Sequence, residues 1–182
     1  MTDFATVFDR KIKHKMDRSR EVLPADADLL DIATERLEYI FKDKGGLDEM
    51  LFLGVTKSRQ LFMLGFPAPS RELKIRVYDM MRRIFQQLDV LTYAYACEVW
   101  YATQKCVEGQ QMNIAPLSRD PQRKEALLVS VVAKDTQVRC IQADIVRDAQ
   151  GQATLLPWSE AFAGLASPAN ELLEAEPHPT RQ

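Results

Sequence analysis

Three carboxylates, Glu98, Glu125 and Asp144, stand in stretches that otherwise read as buried strand. Acids that point one way from neighbouring strands form the oxygen-rich cluster that holds Mg²⁺ or Mn²⁺ in divalent-metal enzymes. Strand parity alone does not bring these three to one face, and no P-D…E-x-K spacing accompanies them. Carboxylates on opposite faces would end that reading.

Glu98 is the sharpest of the three. A charge in mid-strand between Ala96 and Trp100 must find a partner, keep its proton or sit on an open face, because burying an unpaired carboxylate is costly. Arg119 and Arg123, in the loop before the next long strand, carry the forked guanidinium that pairs bidentately with such a group. A structural ion pair is the plainer expectation, since ion-pair networks perturb carboxylates as active sites do.

Other chemistries are excluded by what is scarce. The only histidines are His14 and His178, both in terminal segments and without a partner at motif spacing, so a Ser-His-Asp or Cys-His triad has little to draw on. The glycines form neither G-x-x-x-x-G-K-[ST] nor G-x-G-x-x-G, which removes the usual phosphate-cradling loops. Cys97, Cys106 and Cys140 form no C-x-x-C pair and read as reduced, buried thiols. No cofactor is implied. Lys and Arg number 24 against 26 Asp and Glu, a balance that argues against a strongly basic nucleic-acid binder.

These residues need elements to place them. Phe4, Val7, Phe8, Ile12 and Met16 lie on one helical stripe amid basic residues, predicting an amphipathic helix over about residues 3–20, part of an arm covering 1–23. Asp26 suits an N-cap for a helix carrying Leu29, Ile32, Ala33, Leu37, Ile40 and Phe41, with a Glu38–Lys42 pair outside and Gly45-Gly46 as its stop. The apolar runs 50–56 and 60–66 predict an antiparallel hairpin, with Gly54 and Gly65 marking bulges or close backbone approach. Ser70 caps a further helix whose stripe runs from Leu73 to Leu88. Its other face carries Arg71, Lys74, Arg76, Arg82 and Arg83, either a solvated surface or a contact for an anionic ligand or nucleic acid.

Residues 91–103 predict a long strand with Tyr93, Tyr95, Cys97, Val99 and Tyr101 on one side and Ala94, Ala96, Glu98 and Trp100 on the other. The tyrosines serve either as a stacking platform for single-stranded nucleic acid or, more simply, as packing beneath helices or within a self-association interface. Strands over 125–134 and 138–147 complete a meander that places Leu127, Val129, Val131, Ile141, Ala143 and Ile145 inward. The whole is expected to be α+β. A mostly antiparallel sheet of about five or six strands would have amphipathic helices packed on one face, within a domain over residues 24–160. Residues 161–182, rich in Ala, Pro and Glu, are expected to form a loose tail.

Glu98-Val99-Trp100 and Ser118-Arg119-Asp120-Pro121-Gln122-Arg123-Lys124-Glu125-Ala126 give the chain a resemblance to a family of small bacterial and phage-associated proteins. In these an E-x-W strand precedes an S-x-D-P-x-R-x-E-A segment and a terminal hairpin. The resemblance spans about residues 47 to 158 and implies one compact domain with accessory ends. It carries no established activity.

Without a catalytic motif, the best reading is a non-enzymatic protein–protein interaction module, expected as a homodimer with an unidentified protein partner. A nucleic-acid-associated protein using the basic helix 71–83 is the alternative, and a carboxylate-dependent divalent-metal enzyme the third. No run is long and apolar enough to span a bilayer, and Met1–Arg20 lacks a leader-like apolar stretch, so a cytoplasmic location is expected.

Overall fold

The computed structural model describes residues 21–67, 70–102, 121–134, 138–161 and 172–173. In chain order the elements are β1 (Glu21–Val22), α1 (Leu29–Lys44), β2 (Glu49–Thr56), β3 (Gln60–Pro67), α2 (Arg71–Gln87), β4 (Val90–Tyr101), β5 (Lys124–Ala133), β6 (Arg139–Arg147), β7 (Ala153–Leu155) and β8 (Ser159–Glu160). One sheet runs β1-β3-β2-β4-β5-β6-β7, with β8 also pairing β6, and every pairing is antiparallel. The α+β class and the antiparallel sheet are as expected. The strand number is eight among the described residues, because short β1, β7 and β8 extend both edges. The helix expected over residues 3–20 and Arg119 lie outside the described residues.

The helices do not share a face. In β4, Ala94 and Ala96 join a core with Leu29, Ala33, Leu37 and Phe41 of α1. The alternating Tyr93 and Tyr95 join a second core with Val77, Met81, Ile84 and Phe85 of α2. Successive strand residues point to opposite faces, so α1 and α2 cover opposite sides of the sheet. Both faces being buried explains why Met50 through Thr56 of β2 are buried without interruption. An α1 side of small alanines and aliphatics contrasts with an aromatic α2 side. There the Phe85 and Tyr93 rings lie 4.8 Å apart and those of Phe52 and Tyr95 5.2 Å apart.

Helix ends follow local chemistry. Asp28, two residues later than expected, caps α1 by accepting from Leu30 N–H at 2.8 Å, and Gly45 ends it at φ 70°. Ser70 caps α2 through Leu73 N–H, as its position implied. Glu38 does not pair with Lys42; its Oε1 accepts from Trp158 Nε1 at 2.6 Å, tying α1 to the segment between β7 and β8. Leu172, inside the stretch expected to be loose, is fully buried in the α2-side core and donates its N–H to the Tyr93 hydroxyl.

Gly54 faces Phe62 across the hairpin in regular register, so it marks a close approach and not a bulge. The irregularity falls at Val55/Thr56, on the β4 side. A Cβ at Gly54 would lie 2.2 Å from the Phe62 ring. We therefore expect Gly54→Ala to destabilise the fold by about 2 kcal/mol in denaturant titration. Phe62→Leu should remove most of that difference in a double-mutant cycle; an additive pair would show that the ring is not the obstacle.

Candidate functional site at one end of the sheet

Polar chemistry collects where β4 ends and β5 begins. On the α1 face, Glu98 lies two residues before Trp100, Trp100 pairs with Glu125, and Arg147 follows Ile145, the β6 partner of Glu125. Arg147 joins both acids. Its Nε and Nη2 donate to the two Glu125 oxygens at 2.8 and 2.9 Å, and Nη2 sits 3.6 Å from Glu98 Oε1. Its Nη1 donates to Gly45 O at 3.2 Å, while Glu98 Oε2 accepts from Leu47 N–H at 2.9 Å. The turn leaving α1 is thus held from both sides.

The two acids are driven apart electrostatically. Burial, reinforced by the neighbouring Glu125, pushes Glu98 up to about 7 against the opposing Leu47 N–H and Arg147. The Arg147 fork holds Glu125 below the ordinary carboxylate value despite its own burial. A proton-holding Glu98 beside an ionised Glu125 satisfies two carboxyls with one guanidinium. All three groups are occupied by one another and by backbone, which is the geometry of a clamp.

Asp144 is on the opposite face. It pairs with Ala126, whose neighbours Glu125 and Leu127 point the other way. Its Oδ1 accepts from Tyr101 Oη at 2.6 Å, and Lys124 Nζ lies 3.7 Å from Oδ2. Burial and the adjacent Asp144 push the Tyr101 phenol up to about 12. Glu98, Glu125 and Asp144 therefore do not converge, and the carboxylate metal cluster falls. No group of three or more metal-ligating side chains occurs among the described residues. On this face a cleft of about 390 Å³ opens between Tyr101, Lys124 and Asp144 on one side and Leu156, Pro157 and Glu160 on the other.

Arg123 does not reach Glu98. Its guanidinium sits 4.5 Å from the centroid of the Trp100 ring, and that ring is 49% exposed. Of the basic helix, Arg71, Lys74, Arg76 and Arg83 are exposed, whereas Arg82 turns to Asp79 at 3.1 Å. Tyr93 and Tyr95 are buried against α2, with the Tyr95 hydroxyl 3.1 Å from that of Tyr78, so they form no platform for bases. The residue that sequence reasoning missed is Arg147. Its parity with the inward Ile141, Ala143 and Ile145 was a usable signal that it points at the face carrying Glu98.

No protein-family model, curated protein or solved structure matches the chain.

The clamp predicts a pH signature. Glu98 is raised above its ordinary 4.5, so the folded chain keeps a proton that the unfolded chain releases. Its contribution is complete below about 4.5 and is lost as pH rises through about 7. Glu125, depressed, contributes above its ordinary value and loses that contribution as pH falls through its lowered one. Glu98→Gln keeps an acceptor for Leu47 and a donor for Glu125. It should melt with the parent at about pH 5 and about 3 °C higher at about pH 8. A lower melt at the higher pH would refute the assignment. Arg147→Ala strands both acids and should lower the melting temperature at neutral pH by about 6 °C; a change below about 1 °C would remove the clamp from the account.

Proposed function

We propose that the chain is a non-enzymatic association module acting as a homodimer, with the α1-face end of the sheet as its contact surface. The observation that carries this reading is Trp100, half exposed under the Arg123 guanidinium on a strand end fixed by the Arg147 clamp. An exposed indole leaves a large apolar area in water, and Trp and Arg are the side chains in which binding energy concentrates when they are held rigidly. The same end carries cations at Arg123 and Arg147 beside acids at Glu98 and Glu125. A surface of mixed sign can complement itself across a two-fold axis. Free thiols at Cys97 and Cys140 support a reducing, cytoplasmic setting.

A second reading, a nucleic-acid contact along α2, is favoured by the exposed Arg71, Lys74, Arg76 and Arg83. Against it, Glu72 and Asp79 interrupt the stripe and Arg82 is engaged by Asp79. The resemblance to the bacterial and phage-associated family supplies no activity to weigh beside either reading.

Sedimentation velocity decides between them. At about 100 µM the chain should sediment as a dimer. Trp100→Ala should raise the dissociation constant by at least about tenfold while leaving the melting temperature unchanged. A parent protein that is monomeric throughout that range overturns the proposal, and a dimer indifferent to Trp100→Ala moves the interface elsewhere. Retention of single-stranded oligonucleotide that falls steeply with salt would favour the α2 reading instead.

A further inference from the structure

We propose that the outer edge of β3, with the flank of α2 that overhangs it, takes up an extended segment of another protein as an added strand. That segment carries acidic residues at alternate positions.

The edge is open by register. β1 pairs with Gln60 and Leu61 alone, and the next residue, Leu23, donates its N–H to Arg59 O at 3.0 Å. Hydrogen-bonded pairs alternate along an antiparallel ladder, so Leu61, Met63 and Gly65 turn their backbone groups away from β2. Beyond Leu61, no strand among the described residues meets the outward N–H and C=O of Met63 and Gly65. Such an edge is ordinarily blunted by a charge on the strand or by a covering loop. β3 has no charged residue between Gln60 and Pro67, and Met63 is 37% exposed. Main-chain groups in this position supply the affinity when a peptide adds to a sheet, and the surrounding side chains select its sequence.

The wall beside the edge sets that selection. α2 carries the chain from β3 to β4 over β2, in a right-handed crossover. Val77, Met81 and Ile84 point into the sheet, and Tyr78 leans toward β4, its ring 6.0 Å from that of Tyr95. At about 3.6 residues per turn, Arg76 and Arg83 fall on the opposite flank, above β3, with Leu73 and Met80 half-buried beneath them. Both arginines are exposed and take part in no ion pair among the described residues. Of the two acids of this helix, Asp79 is engaged by Arg82 and Glu72 by the Ser70 cap. The α1 side of the edge has the opposite sign, since Glu49 Oε2 lies so close over Gly65 that a Cβ there would collide with it.

Side chains of an added strand alternate between these two faces. On the α2 side an acid reaches Arg76 or Arg83, whereas on the α1 side Glu49 repels an acid and Met63 favours an apolar group. The two arginines stand about 10 Å apart along α2 and alternate strand residues about 7 Å, a difference that long side chains absorb. A second copy fits poorly: β3 paired with itself about a two-fold axis would set Arg76 and Arg83 of one α2 against the same pair of the other.

The test is fluorescence anisotropy of the full chain with a fluorescein-labelled Ser-Val-Glu-Val-Glu-Val-Ser peptide in low salt. Saturation with a dissociation constant below about 300 µM is expected. Arg76→Ala and Arg83→Ala should each weaken it about threefold, and lysine in place of the peptide's glutamates about tenfold or more. Residues opposite Met63 and Gly65 turn their amides to β3 and their side chains to the α1 side, so the valine amides make the ladder. N-methylation of the valines should abolish binding, whereas N-methylation of the glutamates should cost less than about threefold. Met63→Pro, which removes an outward donor and leaves the β2 ladder whole, should abolish it as well. The N-methylated peptides keep the backbone test valid if that variant unfolds. The proposal is overturned by absence of saturation up to about 2 mM, by equal responses to the two N-methylated peptides, or by affinities unchanged in both arginine variants. Displacement of the peptide by single-stranded oligonucleotide would make the flank a nucleic-acid contact, and a parent dimer that becomes a folded monomer in Met63→Pro would give the edge to a second copy. Either result overturns it too.

Discussion

A strand covered on both faces has no place for a lone charge, and this constraint organises the molecule. Under α1 and α2 the central strands carry Leu, Val, Phe, Tyr and Ala at nearly every position. Charged side chains appear in β4, β5 and β6 only toward the strand ends: Arg139 at one end, and Glu98, Lys124, Glu125, Asp144 and Arg147 at the other. There they arrive on both faces at once, because alternation sends Glu98 and Glu125 one way and Tyr101, Lys124 and Asp144 the other. The clamp and the cleft are the two faces of one sheet end.

Arg147 shows how far one side chain can consolidate such an end. It reaches β4 through Glu98, β5 through Glu125 and the exit of α1 through Gly45, while standing on β6 itself. A lysine could neutralise the charge yet could not offer four contacts in a plane. Glu98 adds a fourth attachment through Leu47 N–H, close enough that a Cβ at Gly46 would stand 3.3 Å from its Oε2. Charge, hydrogen bonding and backbone geometry converge on the same turn. The helix on this face is thereby fixed at its far end as well as along its apolar stripe.

Much of this was readable beforehand wherever a local rule sufficed. The β2–β3 hairpin, the Ser70 cap, the Gly45 stop and the inward parity of β5 and β6 each depend on residues a few positions apart. What could not be read depends on pairing. The side of the sheet chosen by each helix is invisible in a helical stripe, since Leu37 and Phe85 look alike until strands are assigned to faces. Glu98 was singled out correctly as a charge needing a partner. Its partner was sought in the adjacent loop, whereas the register of β5 on β6 delivers Arg147 from the far strand. Asp144 fell away for the same reason: parity within a strand is a sequence property, but parity between strands is set by register. Leu172 and Leu173 pack into the α2-side core from a polar, Pro-rich stretch whose composition alone predicts a loose tail.

The strand order also dictates how the chain must assemble. β2–β3, β5–β6 and β6–β7 are neighbours in sequence and in space across short connections, so each can zip from a nearby turn, whereas residues 102–123 separate β4 from β5. The β2–β4 junction is different: Leu51 meets Ala96 only after α2 has been carried across the sheet. Closing it spans a longer stretch of chain than the β4–β5 pairing does and brings Phe52 onto Tyr95. The costliest loop closure among these pairings is therefore the step that joins β2 to β4 edge to edge, with Phe52 on Tyr95 across the seam. Until that step, β2 and β4 each present an unpaired apolar edge, the interval in which the chain is most exposed to joining a neighbour instead of itself.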